Sequence, residues 1–181
     1  MTSNELGLLK RCSKKMAGPI LEVGSRVIHA RSRGPRQFFD SSIDYLGVDL
    51  ELATGVDRIH NMEWPIRQKF GSVICCSVLE HCERPWLVAA NIESALDRGG
   101  HLFVSAPFVW RHHDYPGDYW RFSAEAFKIL FPSVEWEFLK YASKKTKTLW
   151  DKYIDLSNID KDSRVDGEAA VAMTIGFGQK T

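Results

Sequence analysis

Residues 72–78 read Ser-Val-Ile-Cys-Cys-Ser-Val, an apolar run with neither strand alternation nor helical spacing. A strand of this kind has no face to give to water, so it has to be covered on both sides. That is the position of a central strand in a parallel sheet. Parallel neighbours are joined by long crossovers, usually helices, so this one run already asks for a chain in which strands alternate with helical segments.

The rest of the sequence supplies that alternation. Residues 4–16 place Leu8, Leu9, Cys12 and Met16 at helical spacing, and a strand at 19–23 follows. Gly34-Pro35 confines any helix at 32–39 to its second half. Strands are expected at 45–50, more weakly at 56–59, and at 101–106. A helix at 84–97 carries Val88, Ile92, Ala95 and Leu96 on one face, with Gly99-Gly100 as its terminator. Ser123 caps another helix, with Glu125 in its first turn and Phe127, Ile129, Leu130 and Phe131 behind. Two last strands fall at 134–141 and 169–177, around a polar stretch with a possible helix at 148–156. No convincing crossover joins those two strands, which favours an antiparallel edge hairpin. The expectation is one α/β domain over 1–181: a doubly wound, mostly parallel, seven-stranded Rossmann-like sheet with an antiparallel C-terminal edge hairpin.

Composition narrows the function. A chain of 181 residues suits one domain with a sizeable core. With 44% hydrophobic and 26% charged residues it has ordinary globular composition. A formal net charge of +1 leaves no electrostatic footprint for nucleic acid, so the clusters Lys10, Arg11, Lys14, Lys15 and Lys144, Lys145, Lys147 read as solvated faces. Cys12, Cys75, Cys76 and Cys82 lack paired metal-ligand spacing, and the adjacent Cys75 and Cys76 must point to opposite faces of a strand. They read as buried, reduced thiols. With no signal-like or membrane-length apolar run, the expected location is cytoplasmic, with no membrane partner.

In such a sheet, ligands bind beyond the carboxyl ends of the strands. The residues there are Gly24, Ser25 and Arg26; Asp49; Asn61 and Met62; 77–81; and 107–121. Glu22 interrupts the first strand one residue before its end, a costly place for a carboxylate unless it is paired. It either sits at the rim, against water or a backbone amide, or marks the ligand site. Asp49, about twenty-five residues after the glycine turn, can accept two hydrogen bonds from ribose hydroxyls. The turn has one glycine where a dinucleotide fingerprint has three, which counts against a pyrophosphate and therefore against a nicotinamide-dependent oxidoreductase.

The 111–121 loop gathers His112, His113, Asp114, Tyr115, Asp118, Tyr119 and Arg121. Two histidines and two carboxylates make a metal conceivable, but adjacent histidines rarely reach one ion, so no metal is expected. In one reading Asp118 and Arg121 pair to brace the loop while Tyr119, Trp120 and Phe122 pack on the sheet. In the other the loop forms an acceptor pocket in which His113 or Tyr115 deprotonates a nucleophile. His81 is a second candidate base, or simply the start of a helix.

Together these stretches resemble the class I S-adenosylmethionine-dependent methyltransferases of the small single-domain type, over residues 20–131. Ile-Leu-Glu-Val-Gly-Ser-Arg at 20–26 is similar to the family's first motif, and Tyr-Leu-Gly-Val-Asp at 45–49 to its second strand. Residues 73–81, ending Ser-Val-Leu-Glu-His, are similar to the fourth strand and the start of the following helix, and Leu-Asp-Arg-Gly-Gly-His-Leu at 96–102 to the turn into the fifth strand. Pro107-Phe108 with His-Asp-Tyr-Pro-Gly-Asp-Tyr-Trp-Arg-Phe at 113–122 resembles a subgroup often encoded beside sugar-processing and cell-envelope genes.

The resemblance implies S-adenosylmethionine as cofactor, with Glu22 near the methionine amino group and the Gly24 and Ser25 backbone along the methionine and ribose. It places Asp49 on the ribose hydroxyls, Leu50 against adenine, Asn61 at the adenine amino group and the Met62 amide at a ring nitrogen. Arg26 and Ser77 complete the set. Asn61 stands where the family usually has Asp, and its side-chain oxygen can still accept. The implied function is methyl transfer to a small-molecule or saccharide acceptor; the alternative is a binding or regulatory protein that kept the fold without the activity.

Overall fold

A computed structural model describes residues 3–27, 34–113, 116–143, 154–155 and 172–181. Helix α1 (Ser3–Cys12) runs on through a 3-10 turn (Ser13–Lys15) into strand β1 (Ile20–Val23). A second 3-10 turn (Pro35–Phe38) precedes β2 (Tyr45–Asp49) and the short β3 (Arg58–Ile59). Strand β4 (Phe70–Cys76) leads through a 3-10 turn (Leu79–His81) to α2 (Pro85–Ala95) and β5 (Leu96–Val109). Helix α3 (Ala124–Leu130) connects to β6 (Val134–Ser143), and β7 (Ile154–Asp155) and β8 (Ala172–Lys180) follow.

The sheet order is β3-β2-β1-β4-β5-β8-β6-β7. The first five strands are parallel, and β8 runs antiparallel between β5 and β6. This is the expected doubly wound sheet with its antiparallel edge hairpin, and the two-residue β7 adds an eighth strand outside it. Strand β4 lies at the centre, and Val73, Ile74 and Cys75 have no solvent exposure. Two cores follow from its two faces. Leu21, Val73, Cys75, Leu102 and Val104 meet Val88 and Ile92 of α2 and Phe127 of α3 on one side. On the other, Ile20, Ile74, Cys76, Phe103 and Phe177 meet Leu8, Leu9 and Cys12 of α1. Cys75 and Cys76 thus point to opposite faces, as their adjacency in a strand requires.

Local chemistry explains the element ends. Ser123 Oγ accepts from the Ala126 amide at 3.2 Å and caps α3. Lys180 Nζ reaches back to the Glu93 and Leu96 carbonyls at 2.6 and 2.8 Å, which satisfies the open end of α2. The helix expected at 84–97 stops at Ala95, because Leu96 already pairs with Phe70 in the sheet. Gly99 (φ 77°) and Gly100 therefore lie in the irregular start of β5 and do not cap the helix. The possible helix at 148–156 lies mostly outside the described residues, and its 154–155 portion is strand β7, paired with Lys140 and Tyr141. No helix among the described residues is long and apolar enough to cross a membrane.

Candidate functional site

The strand order reverses between β1 and β4, and there the loops leave in opposite directions and open a crevice. A cavity of about 960 Å³ fills it. Gly24 turns the chain at its edge with φ 73°, and a Cβ there would run into the Val78 side chain. The turn is held by the Gly24 and Ser25 amides, which donate to the Val48 carbonyl at 2.9 and 3.1 Å. The next amide, of Arg26, donates to Asp49 Oδ2 at 3.1 Å, while Leu50 N donates to Asp49 Oδ1 at 2.7 Å. Each carboxylate oxygen has two lone pairs, so Asp49 keeps one on each oxygen for a further donor pair.

Glu22, Gly24, Ser25, Arg26, Asp49 and Leu50 all line the cavity, as do Asn61, Met62 and Ser77. Leu50 is 52% exposed, an apolar side chain left uncovered at the wall. Met62 is buried, and its carbonyl accepts from Asn91 Nδ2 at 2.9 Å. Asn61 Oδ1 accepts from the Glu63 amide at 2.9 Å, so one of its acceptor positions is spent on the turn. Ser25 Oγ is buried without a hydrogen-bond partner among the described residues. Ser77 adopts a left-handed backbone (φ 54°), strained for a residue with a Cβ and frequent beside ligand sites. Its hydroxyl donates to Glu5 Oε1 at 3.4 Å, which brings the first turn of α1 over the ends of β4 and β5.

Glu22 is not at a solvated rim. It is 6% exposed, and its Oε2 accepts from the Tyr45 phenol at 2.6 Å. Burial pushes this carboxyl up to about 7, opposed by the Tyr45 hydrogen bond and the Arg36 charge. Asp57 takes the Gly47 amide at 2.6 Å and pairs with Arg36, which lies over the Tyr45 ring, so the β2 side of the crevice is a connected polar layer.

The opposite end of the cavity is built from the 3-10 turn after β4 and the loop after β5. His81 and His113 line it, with rings edge to face at 4.9 Å. His81 Nδ1 is hydrogen-bonded to the Gly117 carbonyl. His113 Nδ1 lies 3.1 Å from Asp118 Oδ2, which also takes the His113 amide at 2.8 Å. Arg121 grips both oxygens of Asp118 and holds that carboxyl far below its usual range, the loop brace the sequence allowed. Phe122 packs into the core, but Tyr119 and Trp120 do not: they are 52% and 39% exposed, and Trp120 sits edge-on to Trp86. Asp114 and Tyr115, the second candidate base of the loop, lie outside the described residues.

Two carboxylates escaped the sequence reading. Glu5, in the first turn of α1, is fully buried. Glu80, also at 0% exposure, lines the cavity with neither oxygen hydrogen-bonded among the described residues. Burial pushes it up to about 8, with the Glu5 charge adding to the effect. Glu80 lay inside the Ser-Val-Leu-Glu-His stretch, but only packing shows that the turn folds it inward.

No protein-family model and no curated protein sequence matches the chain. Solved structures do match by fold. The N-methyltransferase NodS of Bradyrhizobium japonicum, in complex with S-adenosylhomocysteine, has TM-score 0.62 at 11% identity, over 97% of this chain and 84% of that one. A 1,6-didemethyltoxoflavin-N1-methyltransferase of Burkholderia thailandensis, with its namesake ligand and S-adenosylhomocysteine, has TM-score 0.63 at 13% identity, over 99% and 77%. The N-terminal domain of EvdMO1, solved in the presence of S-adenosylhomocysteine and D-fucose, has TM-score 0.59 at 13% identity, over 99% and 84%. The chain has the fold of the class I S-adenosylmethionine-dependent methyltransferases.

Proposed function

We propose that this protein is a methyltransferase that moves a methyl group from S-adenosylmethionine to a small-molecule or saccharide acceptor. The observation that carries the reading is Asp49, anchored by two backbone amides at the switch-point crevice with one lone pair open on each oxygen. That is the donor-acceptor match for the two hydroxyls of a ribose. The rest of the crevice fits the same cofactor. Gly24 makes the tight left-handed turn at the cavity edge without a Cβ against Val78, Ser25 Oγ is a buried hydroxyl with no hydrogen-bond partner among the described residues, and the buried Glu22 carboxyl suits a cationic amino group. Leu50 and Met62 offer apolar surface to a flat base, and Asn61 Oδ1 keeps a lone pair for an exocyclic amine.

S-adenosylmethionine supplies a methyl group on a cationic sulfur, already activated toward in-line displacement. The chain's part is therefore mostly to position donor and acceptor, a contribution of about 7 to 11 kcal/mol when the geometry is good. A base adds roughly 10²- to 10⁴-fold for a hydroxyl or protonated amine acceptor. His113, oriented by Asp118, and His81, oriented by Gly117, stand at the acceptor end for that purpose, and Tyr115 belongs to the same loop. EvdMO1, studied with D-fucose, supports a saccharide among the candidate acceptors.

Calorimetric titration with S-adenosylhomocysteine tests the proposal. The wild-type chain should bind one equivalent, and Asp49→Ala should weaken binding roughly 10²-fold or more, since hydrogen bonds to a charged group contribute about 1.5–3 kcal/mol each. No binding by the wild type, or equal binding by both, overturns it.

A further inference from the structure

We propose that Glu80, His81 and His113 form a site for one divalent first-row transition ion, with an open coordination position facing the acceptor end of the cavity. The residues come from two separate places in the chain, the 3-10 turn after β4 and the loop after β5. Folding nevertheless brings one ligand atom of each to within 4.8 Å of the others. Ligands of a four-coordinate zinc at about 2.0–2.1 Å lie roughly 3.3 Å apart, so the three atoms need to draw in by about 1.5 Å at most to close the site.

Three observations point to a cation here. The Glu80 carboxylate is withdrawn from solvent, lines the cavity and has no hydrogen-bond partner for either oxygen among the described residues. A buried carboxylate without a hydrogen bond is strongly disfavoured, and an ion set between its Oε1 and His81 Nε2, 3.8 Å apart, would satisfy both. Next, the Nδ1 atoms of both rings are already engaged, His81 with the Gly117 carbonyl and His113 with the Asp118 carboxylate. Each ring then presents Nε2 as its lone pair, and a carbonyl or carboxylate behind the ring is the usual outer support of a metal-bound histidine. Finally, Asp118 is itself clamped by Arg121, so the support is rigid.

The donor set selects the ion. Two imidazoles and one carboxylate suit zinc, manganese or ferrous iron, whereas magnesium and calcium prefer all-oxygen sites. The nearby Cys82 is turned to a different partner, its Sγ donating to the Val78 carbonyl at 3.3 Å. The expectation of no metal concerned His112 beside His113. Here only His113 takes part, and its partners come from the end of β4.

The role of the ion deepens the methyltransferase reading and rests on it. With the ion bound, His81 and His113 would serve as ligands and not as bases, and an acceptor hydroxyl at the open position would be held beside the donor site and made more acidic by the metal's charge. Ion binding itself does not depend on that reading. The test is calorimetric titration of the chelator-treated full chain with zinc chloride, with the visible absorption of the cobalt-loaded protein as a second readout. Wild type, Glu80→Gln and His113→Ala are compared after circular dichroism has shown that each is folded. His113 lies in a solvent-facing loop, so its variant stays informative if the buried Glu80 variant does not fold. One ion per chain, weakened at least roughly 10- to 100-fold in the folded variants, is the expected result. No binding by the wild type, or binding unchanged in a folded variant, overturns the proposal. S-adenosylhomocysteine binding, measured separately without metal, succeeds or fails independently.

Discussion

Replacing Glu22 with glutamine should stabilise the protein in a pH-dependent way. Burial raises this carboxyl from 4.5 to about 7 in the folded chain. Between those values the folded chain holds a proton that the unfolded chain has released, so stability falls as pH rises through the window and levels off above it. The full difference amounts to about 3 kcal/mol. Glutamine cannot ionise, and its Oε1 can still accept the Tyr45 phenol hydrogen bond seen at 2.6 Å. The variant should therefore be more stable than wild type by about 1–3 kcal/mol near pH 8, and the gap should close toward pH 5. Urea unfolding followed by circular dichroism across that range measures it. A gap independent of pH, or a variant less stable near pH 8, would refute the burial argument. The same substitution carries a functional cost. A cationic ligand beside Glu22 favours its ionised form, so S-adenosylmethionine affinity should rise with pH through about 7 in the wild type, with proton release, and lose that rise in Glu22→Gln.

Two further substitutions probe the frame around the site. Gly24→Ala forces a Cβ against Val78 and holds a left-handed backbone at φ 73°, which should cost about 1–2 kcal/mol of stability and narrow the cofactor crevice; thermal melting with S-adenosylhomocysteine titration reads both effects. Phe127→Ala should cost about 3–5 kcal/mol in urea unfolding, because this fully buried ring packs against Phe122, Phe131 and Trp136.

Much of this was legible in the residue order, because strands and helices declare themselves by local period. The apolar run around Val73–Cys75 demanded cover on both faces, and two separate cores provide it. Gly24 and Asp49 marked the ends of the first two strands, and a parallel sheet puts such ends side by side whatever the loops do. The ends of helices were less legible. Gly99-Gly100 looked like a helix stop, but the pairing of Leu96 with Phe70 ended α2 sooner, a tertiary preference that outweighs local propensity.

Side-chain direction and partnership were decided only by the fold. The sequence contained Glu22 without showing that Tyr45, on the neighbouring strand, turns a phenol to it. It contained Glu80 within a motif without showing that the carboxylate is buried, with neither oxygen hydrogen-bonded among the described residues. It placed His81 and His113 far apart along the chain, and only the joining of the β4 and β5 ends set their rings 4.9 Å from each other. Periodicity is a property of neighbours in the chain, so the sequence determines elements and strand ends. Convergence is a property of neighbours in space, and it waits until the sheet has closed.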